Sequence, residues 1–168
     1  MTSRNMKRFA ASHGAALVLA GLLVLGSGLP ATAQSEDDGT PNGLEGTWRV
    51  TVTVQVCQTP QVLKTVQGLF AFAKGGTLTY ATAGQLPSLT TTGLGVWKHT
   101  NGHSYSAVSE VFIFSPAGVW IQTHRLTRAI DVSSDGDEFT DSLALQIFDT
   151  SGNQLATGCG TSVGKRMK

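Results

Sequence analysis

The sequence predicts an all-β fold, an eight-stranded antiparallel up-and-down β-barrel. Three observations predict it. From Leu44 onward the chain breaks into short runs in which apolar and polar residues alternate, the period of a half-buried strand. No run carries a helical period. The links between runs are mostly short turns, so consecutive strands pair as antiparallel neighbours.

The first strand spans residues 47–56. Trp48, Val50, Val52, Val54 and Val56 fall on one face, and Thr47, Arg49, Thr51, Thr53 and Gln55 on the other. Gln58-Thr59-Pro60-Gln61 breaks it, because proline cannot donate to a ladder. A second strand covers about residues 65–74 and holds Phe70 and Phe72. Gly75-Gly76 is a hairpin signal leading into a third strand, 77–82. Residues 83–92 (AGQLPSLTTT) lack a period and read as a loop. The fourth strand is 93–100, and Asn101-Gly102 after it is a strong hairpin signal, since a type I′ turn needs positive φ at both centres. The fifth strand, 103–115, turns at Pro116-Ala117-Gly118 into the sixth, 119–132. Ser133 to Asp137 turns into the seventh, 139–149, and Thr150 to Asn153 into the eighth, 154–165. Eight strands of this length close a barrel. A two-sheet sandwich has the same strand count but needs long crossings, and only the 83–92 loop is long enough to make one.

The N-terminal stretch has the order of a secretory signal peptide. Arg4, Lys7 and Arg8 precede an uninterrupted apolar run of 11 residues, Ala15 to Leu25, and Ala31-Thr32-Ala33 follows with small residues at cleavage spacing. Such a run is too short to span a bilayer as a helix. The expectation is a secreted or periplasmic protein cleaved after Ala33, with residues 34–43 as a solvated, disordered leader and 44–168 as one domain. No membrane insertion of the mature chain is expected. The signal region holds three of the 12 basic residues and none of the 11 acids, so the mature chain has a formal charge of −2. That balance argues against a nucleic-acid partner. Two cysteines in an exported chain read as one disulfide, Cys57–Cys159.

A closed barrel must pair its first strand with its last. If Cys57 directly opposes Cys159, Trp48 lies opposite Lys168, two positions from Arg166. A guanidinium across an indole face is a favourable contact, so one register serves both pairs. Gly46-x-Trp48 at the start of the first strand, the eight strands and Arg166 at the end of the last together resemble the lipocalin/calycin family. The resemblance implies a Trp at the closed end of the barrel with an Arg packed across it, and covers about residues 44–167. It places Gly46, Trp48 and Arg166 in structural roles. The chain departs from the family in having Ser134-Asp135-Gly136-Asp137 before the seventh strand, where a Thr-Asp-Tyr-type motif is usual, and no helix after the eighth. It is similar to a reduced, bacterial-style lipocalin-like domain.

The resemblance implies a lumen that takes a small apolar or amphipathic molecule. Candidate lumen residues are Val50, Val52, Val54, Phe70, Phe72, Tyr105, Glu110 and Arg125. Antiparallel pairing across Pro116-Ala117-Gly118 brings Glu110 opposite His124 and diagonal to Arg125. Such a pair either orients a polar head inside the barrel or is an ordinary ion pair outside it. Asp135, Asp137, Glu138 and Asp141 read as a solvated acidic turn. His99 and His103 flank a turn without a third ligand nearby, so no metal is expected. Val111 to Phe114 and Val119 to Ile121 are apolar on both faces. They read either as an exposed band used for homodimerisation or as a bulge that swaps faces. No Gly-x-Ser-x-Gly, phosphate loop or metal-ligand spacing occurs, so no catalytic residue or cofactor is expected, and the chain reads as a binder more than an enzyme. The alternatives are a barrel isomerase or cyclase of the allene oxide cyclase and dirigent kind, whose sites leave little sequence trace, and a protein-interaction module working through the 83–92 loop.

Overall fold

The computed structural model describes residues 43–59 and 61–168. The signal peptide expected at 1–33 and leader residues 34–42 lie outside the described residues. The strands are β1 (Gly46–Gln55), β2 (Val62–Ala73), β3 (Thr77–Thr82), β4 (Gly93–Asn101), β5 (Ser104–Phe114), β6 (Trp120–Val132), β7 (Glu138–Phe148) and β8 (Gln154–Arg166). All neighbours pair antiparallel in chain order, and β1 pairs with β8 to close the barrel. The sandwich alternative is thereby excluded.

Side-chain direction follows the period of two. Even-numbered residues of β1, β2, β3, β6 and β8 point inward, as do odd-numbered residues of β4, β5 and β7. The half of the barrel at the start of β1 is packed solid. Trp48, Phe72, Leu78, Tyr105, Ile130, Val132 and Phe139 are buried there, and Leu44 caps them. Trp48 meets Phe139 edge-on at 5.0 Å, and Phe72 meets Phe139 and Trp97 at 6.1 Å each. Small residues on β8 make room for these rings. A Cβ on Gly164 would stand 2.1 Å from the Phe139 ring.

The end is sealed by Arg166. Its guanidinium lies 4.2 Å over the Trp48 ring and donates to the carbonyls of Gly43, Glu45 and Gly136. Gly43, read as the last leader residue, is therefore tied to the barrel. Trp48 Nε1 donates to Leu44 O at 3.0 Å. Gly46 enters β1 at φ +124°, a conformation side chains disfavour, and a Cβ there would meet Arg166 Nη1 at 2.8 Å.

Two registers differ from expectation. Trp48 sits directly opposite Arg166, not Lys168, and Cys159 opposes Gln55. Cys57 lies two residues beyond that pair, in the turn after β1, where Gln58 adopts φ +67°. The turn, not the ladder, returns Cys57 to Cys159, and the disulfide forms with Cα atoms 5.1 Å apart. The Asn101-Gly102 hairpin also shifts by one: Asn101 pairs with Ser104, and Gly102 is at φ +49° while Asn101 is not at positive φ. A bulge between His99 and Asn101 takes up the extra residue.

The bridge joins residues 102 apart, so it restricts the unfolded chain strongly. Replacing both cysteines by serine is expected to lower unfolding free energy by about 2–4 kcal/mol. Denaturant titration of the two proteins measures this. A loss under about 0.5 kcal/mol would show that the β1–β8 ladder closes the barrel unaided.

Candidate functional site

The other half of the barrel is open. A cavity of about 400 Å³ runs from the mouth down to mid-barrel. Val52 and Val54 of β1, Val66 of β2, Val111 and Ile113 of β5, Leu126 of β6, and Leu143 and Leu145 of β7 wall it. The inward residues of β8 at this level are Gly158 and Gly160. A Cβ on Gly160 would stand 2.6 Å from Thr53 O, so β8 adds no bulk to the wall and hugs β1 closely.

The 83–92 loop edges the mouth. It contains a short 3₁₀ turn, Pro87–Leu89, and docks on β5: Thr91 N donates to Phe112 O, and Phe112 N donates to Thr91 Oγ1, both at 3.1 Å. Lys64 Nζ, at the rim, donates to Gly84 O at 2.6 Å.

The floor is polar. Tyr80 and Arg128 both line the cavity there. Arg128 is paired with Asp141, and their side chains are 1% and 0% exposed. Arg128 Nη1 also donates to Ser162 Oγ at 2.9 Å, and the guanidinium lies 4.9 Å over the Phe70 ring. Phe70 in turn packs on Tyr80 at 5.0 Å. Four buried polar atoms here have no hydrogen-bond partner in the protein: Tyr80 Oη, Ser109 Oγ, Arg128 Nε and Asp141 Oδ1. Burial pushes the Tyr80 phenol above its usual 10, while Ser109 and the charge of Arg128 oppose the rise more weakly. The Ser109 hydroxyl is thus close enough to influence Tyr80, yet neither oxygen makes a well-aligned bond. Tyr80 stays neutral at pH 7.

His124, on the cavity wall, is neutral as well. Burial holds its imidazole below the usual 6.5. Its strand partners are Val111 and Ile147, and Nε2 lies 3.2 Å from Gln122 Oε1. As pH falls below 6.5, the unfolded chain takes up a proton that the folded barrel resists, and stability is lost until the lower, folded pKa is passed. Asp135 and Asp149 are held below the usual 3.8 chiefly by hydrogen bonds from Ser133 and Asn153, so they act only in stronger acid. His124→Gln is expected to flatten the stability profile between pH 6.5 and the carboxylate range. Denaturation midpoints across that window check it; an unchanged slope would assign the loss elsewhere.

The candidate lumen residues divide. Val52 and Val54 line the cavity. Phe70 lies beneath its floor, against Arg128 and Tyr80. Val50, Phe72 and Tyr105 belong to the packed half and do not line it. Glu110 and Arg125 are corrected outright. They pair directly across β5 and β6, on the outer surface, with side chains 42% and 47% exposed. The hairpin register puts Glu110 opposite Arg125, not His124, because a bulge between Ile113 and Phe114 shifts the pairing by one. Asp141, read as part of a solvated turn, is buried in the lumen instead. Among the described residues no cluster of potential metal ligands forms.

The residues that sequence reasoning missed are Tyr80, Arg128, Asp141 and Ser162 as a set. A signal for two of them exists. Arg128 shares its face with Leu126, Ile130 and Val132, and Asp141 shares one with Phe139, Leu143 and Leu145. A lone charge on an apolar strand face points to a buried partner. The outer face of β5 obscured it, because Val108 and Phe112 are apolar yet exposed. Leu94 and Val96 of β4 extend that outer band, at 63% and 65% exposure.

No protein-family model matches this chain, and no curated protein matches it in sequence.

Proposed function

We propose that this protein is a secreted, lipocalin-like barrel that binds a small hydrophobic or amphipathic molecule in its lumen. One observation carries the reading: the apolar-walled cavity of about 400 Å³ above the Tyr80–Arg128 floor. Its size falls in the range of small-molecule pockets, roughly 300–1,000 Å³, and its mix of apolar wall and few polar groups is typical of them. The Trp48–Arg166 stack at the packed end supports the lipocalin likeness. Secretion is supported by the Cys57–Cys159 bridge and by the basic and apolar order of the N-terminus.

Native mass spectrometry of protein purified from its own host tests both parts. The expected spectrum shows a chain beginning at Gln34 with an added small molecule that is lost on collisional activation. A chain retaining its N-terminus would overturn secretion by cleavage. Absence of any adduct, together with failure to take up an apolar fluorescent probe, would overturn lumen binding.

A second reading is favoured by the Arg128–Asp141 pair beside Tyr80. Buried titratable groups at a cavity floor are a common setting for acid–base chemistry. They suit an isomerase or cyclase on this barrel, of the allene oxide cyclase and dirigent kind. Recovering the copurified molecule and returning it to fresh protein distinguishes the two. Conversion to an isomer of equal mass supports the enzyme, and recovery unchanged supports the binder.

A further inference from the structure

The charges around the cavity are not balanced. Among the described residues that line it there is no aspartate or glutamate, and the cations are Lys64 and Arg128. Arg128 is met by Asp141 in a buried pair. His124, on the wall, is neutral. Lys64 is exposed at the mouth, and among the described residues no carboxylate pairs with it. Its Nζ donates to a neutral group, Gly84 O, at 2.6 Å. An ammonium carries several donors, and one bond to a carbonyl leaves its charge uncompensated.

The ladder places that charge at the top of an apolar column. The inward-facing residues of β2 run from Phe72 and Phe70 through Gly68 and Val66 to Lys64. Lys64 is opposite Val54 of β1, and Val66 is opposite Val52. The loop above leaves room there. A Cβ on Gly84 would stand 2.9 Å from Val66 Cγ1 and 3.4 Å from Lys64 Nζ, so glycine keeps the space beside the ammonium clear. Ala83 N donates to Gln67 O at 2.8 Å, which fixes the start of the loop against β2. The floor suits a polar head less well. Tyr80 Oη and Arg128 Nε are sealed from the cavity, and the Arg128 charge is already met. A carboxylate carried to the floor would lose its water without gaining an unbalanced cation. At the mouth it keeps part of its hydration and gains a charge-assisted bond. An uncharged head gains only an ordinary hydrogen bond there, and an ammonium is repelled.

We propose that the lumen ligand is an anionic amphipath, a carboxylate whose head pairs with Lys64 at the mouth and whose hydrocarbon tail runs down the Val52, Val54 and Leu126 wall. This rests on the reading that the lumen is a binding cavity, and it specifies the head group and its place.

Displacement of bound N-phenylnaphthylamine, followed by fluorescence at about pH 7.5, tests it with nonanoate, nonanol and nonylamine on the purified protein; at that pH the acid is an anion and the amine a cation. Nonanoate is expected to displace the probe at the lowest concentration and nonylamine at the highest. Lys64→Met keeps an unbranched apolar stem at an exposed position, so the fold should survive. It is expected to weaken nonanoate about three- to tenfold, the worth of a half-solvated charge pair, and to leave nonanol within about twofold. Lys64→Arg is expected to bind nonanoate nearly as the parent does. Tighter binding of nonanol or nonylamine than of nonanoate would overturn the head-group assignment while keeping the cavity as a binding site. So would a Lys64→Met variant that binds nonanoate as well as the parent, or that weakens nonanol equally. Failure of the probe and of all three compounds to bind would instead overturn the lumen-binding reading, and this proposal with it. The ordering of the three compounds needs no variant, so the test holds even if Lys64→Met folds poorly.

Discussion

Trp48→Ala is expected to lower the unfolding free energy by about 3–5 kcal/mol. The indole is completely buried and is the largest of the fully buried side chains. Its removal leaves a void bounded by Phe139, whose ring lies 5.0 Å away, and by Val50 and Phe72 of the same rigid core. Strands on a closed ladder cannot collapse into that void, so the cavity penalty is retained. Two further losses add to it. Leu44 O loses the indole donor at 3.0 Å, and Arg166 loses the face it covers at 4.2 Å. Trp48→Phe separates the parts: it keeps most of the apolar volume and removes the hydrogen bond, for an expected loss of about 1–3 kcal/mol. Urea titrations with an unchanged m-value measure both. A Trp48→Ala loss under about 1 kcal/mol would show that the packed end is not the stability core.

Asp141→Asn is expected to destabilise by about 3–5 kcal/mol, because it leaves the Arg128 charge buried and uncompensated. The remaining partners of Arg128 are Ser162 Oγ and the Phe70 face. Neither carries the negative charge that balances a guanidinium. The double variant Arg128→Met with Asp141→Leu is expected to restore stability to near the parent value or above it, since apolar replacements avoid the desolvation of both ions. Such a recovery would show that the pair contributes little net stability at the cavity floor. Asp141→Asn within about 1 kcal/mol of the parent would show that water reaches the pair and screens it.

The legibility of this chain differed between its two halves. The strands could be read because each alternates, and the turns because glycine, proline and asparagine mark them. Third-strand bounds, Thr77–Thr82, coincide with the expectation. The second strand begins at Val62, earlier than expected, because Val62, Leu63 and Lys64 are all exposed and carry no inside–outside signal. The disulfide pairing was legible from count alone, but its register was not. A left-handed Gln58 lets Cys57 reach Cys159 from outside the ladder, and no pattern in the sequence announces that turn.

The site was harder to read. Val52 and Val54 were legible as wall residues because β1 alternates without exception. Glu110 and Arg125 misled because the Val111 to Phe114 run of β5 is apolar on both faces, which hides the direction of the side chains. One bulge between Ile113 and Phe114 then decided the register, and with it which residue Glu110 faces.

Strand number and order follow from the sequence alone, because alternation and short links leave few ways to bury eight half-apolar strands, whereas the β1–β8 ladder decided closure against the sandwich. Trp48, Arg166 and the two cysteines belong to that local and sequential information. Only the tertiary structure decided which half of the barrel is filled and which is open. That depends on which rings, glycines and charges meet inside the barrel, as Phe139 meets Gly164 across β7 and β8, and Arg128 of β6 meets Asp141 of β7 and Ser162 of β8. Such meetings are set by register, and a shift of one residue turns every side chain to the opposite face.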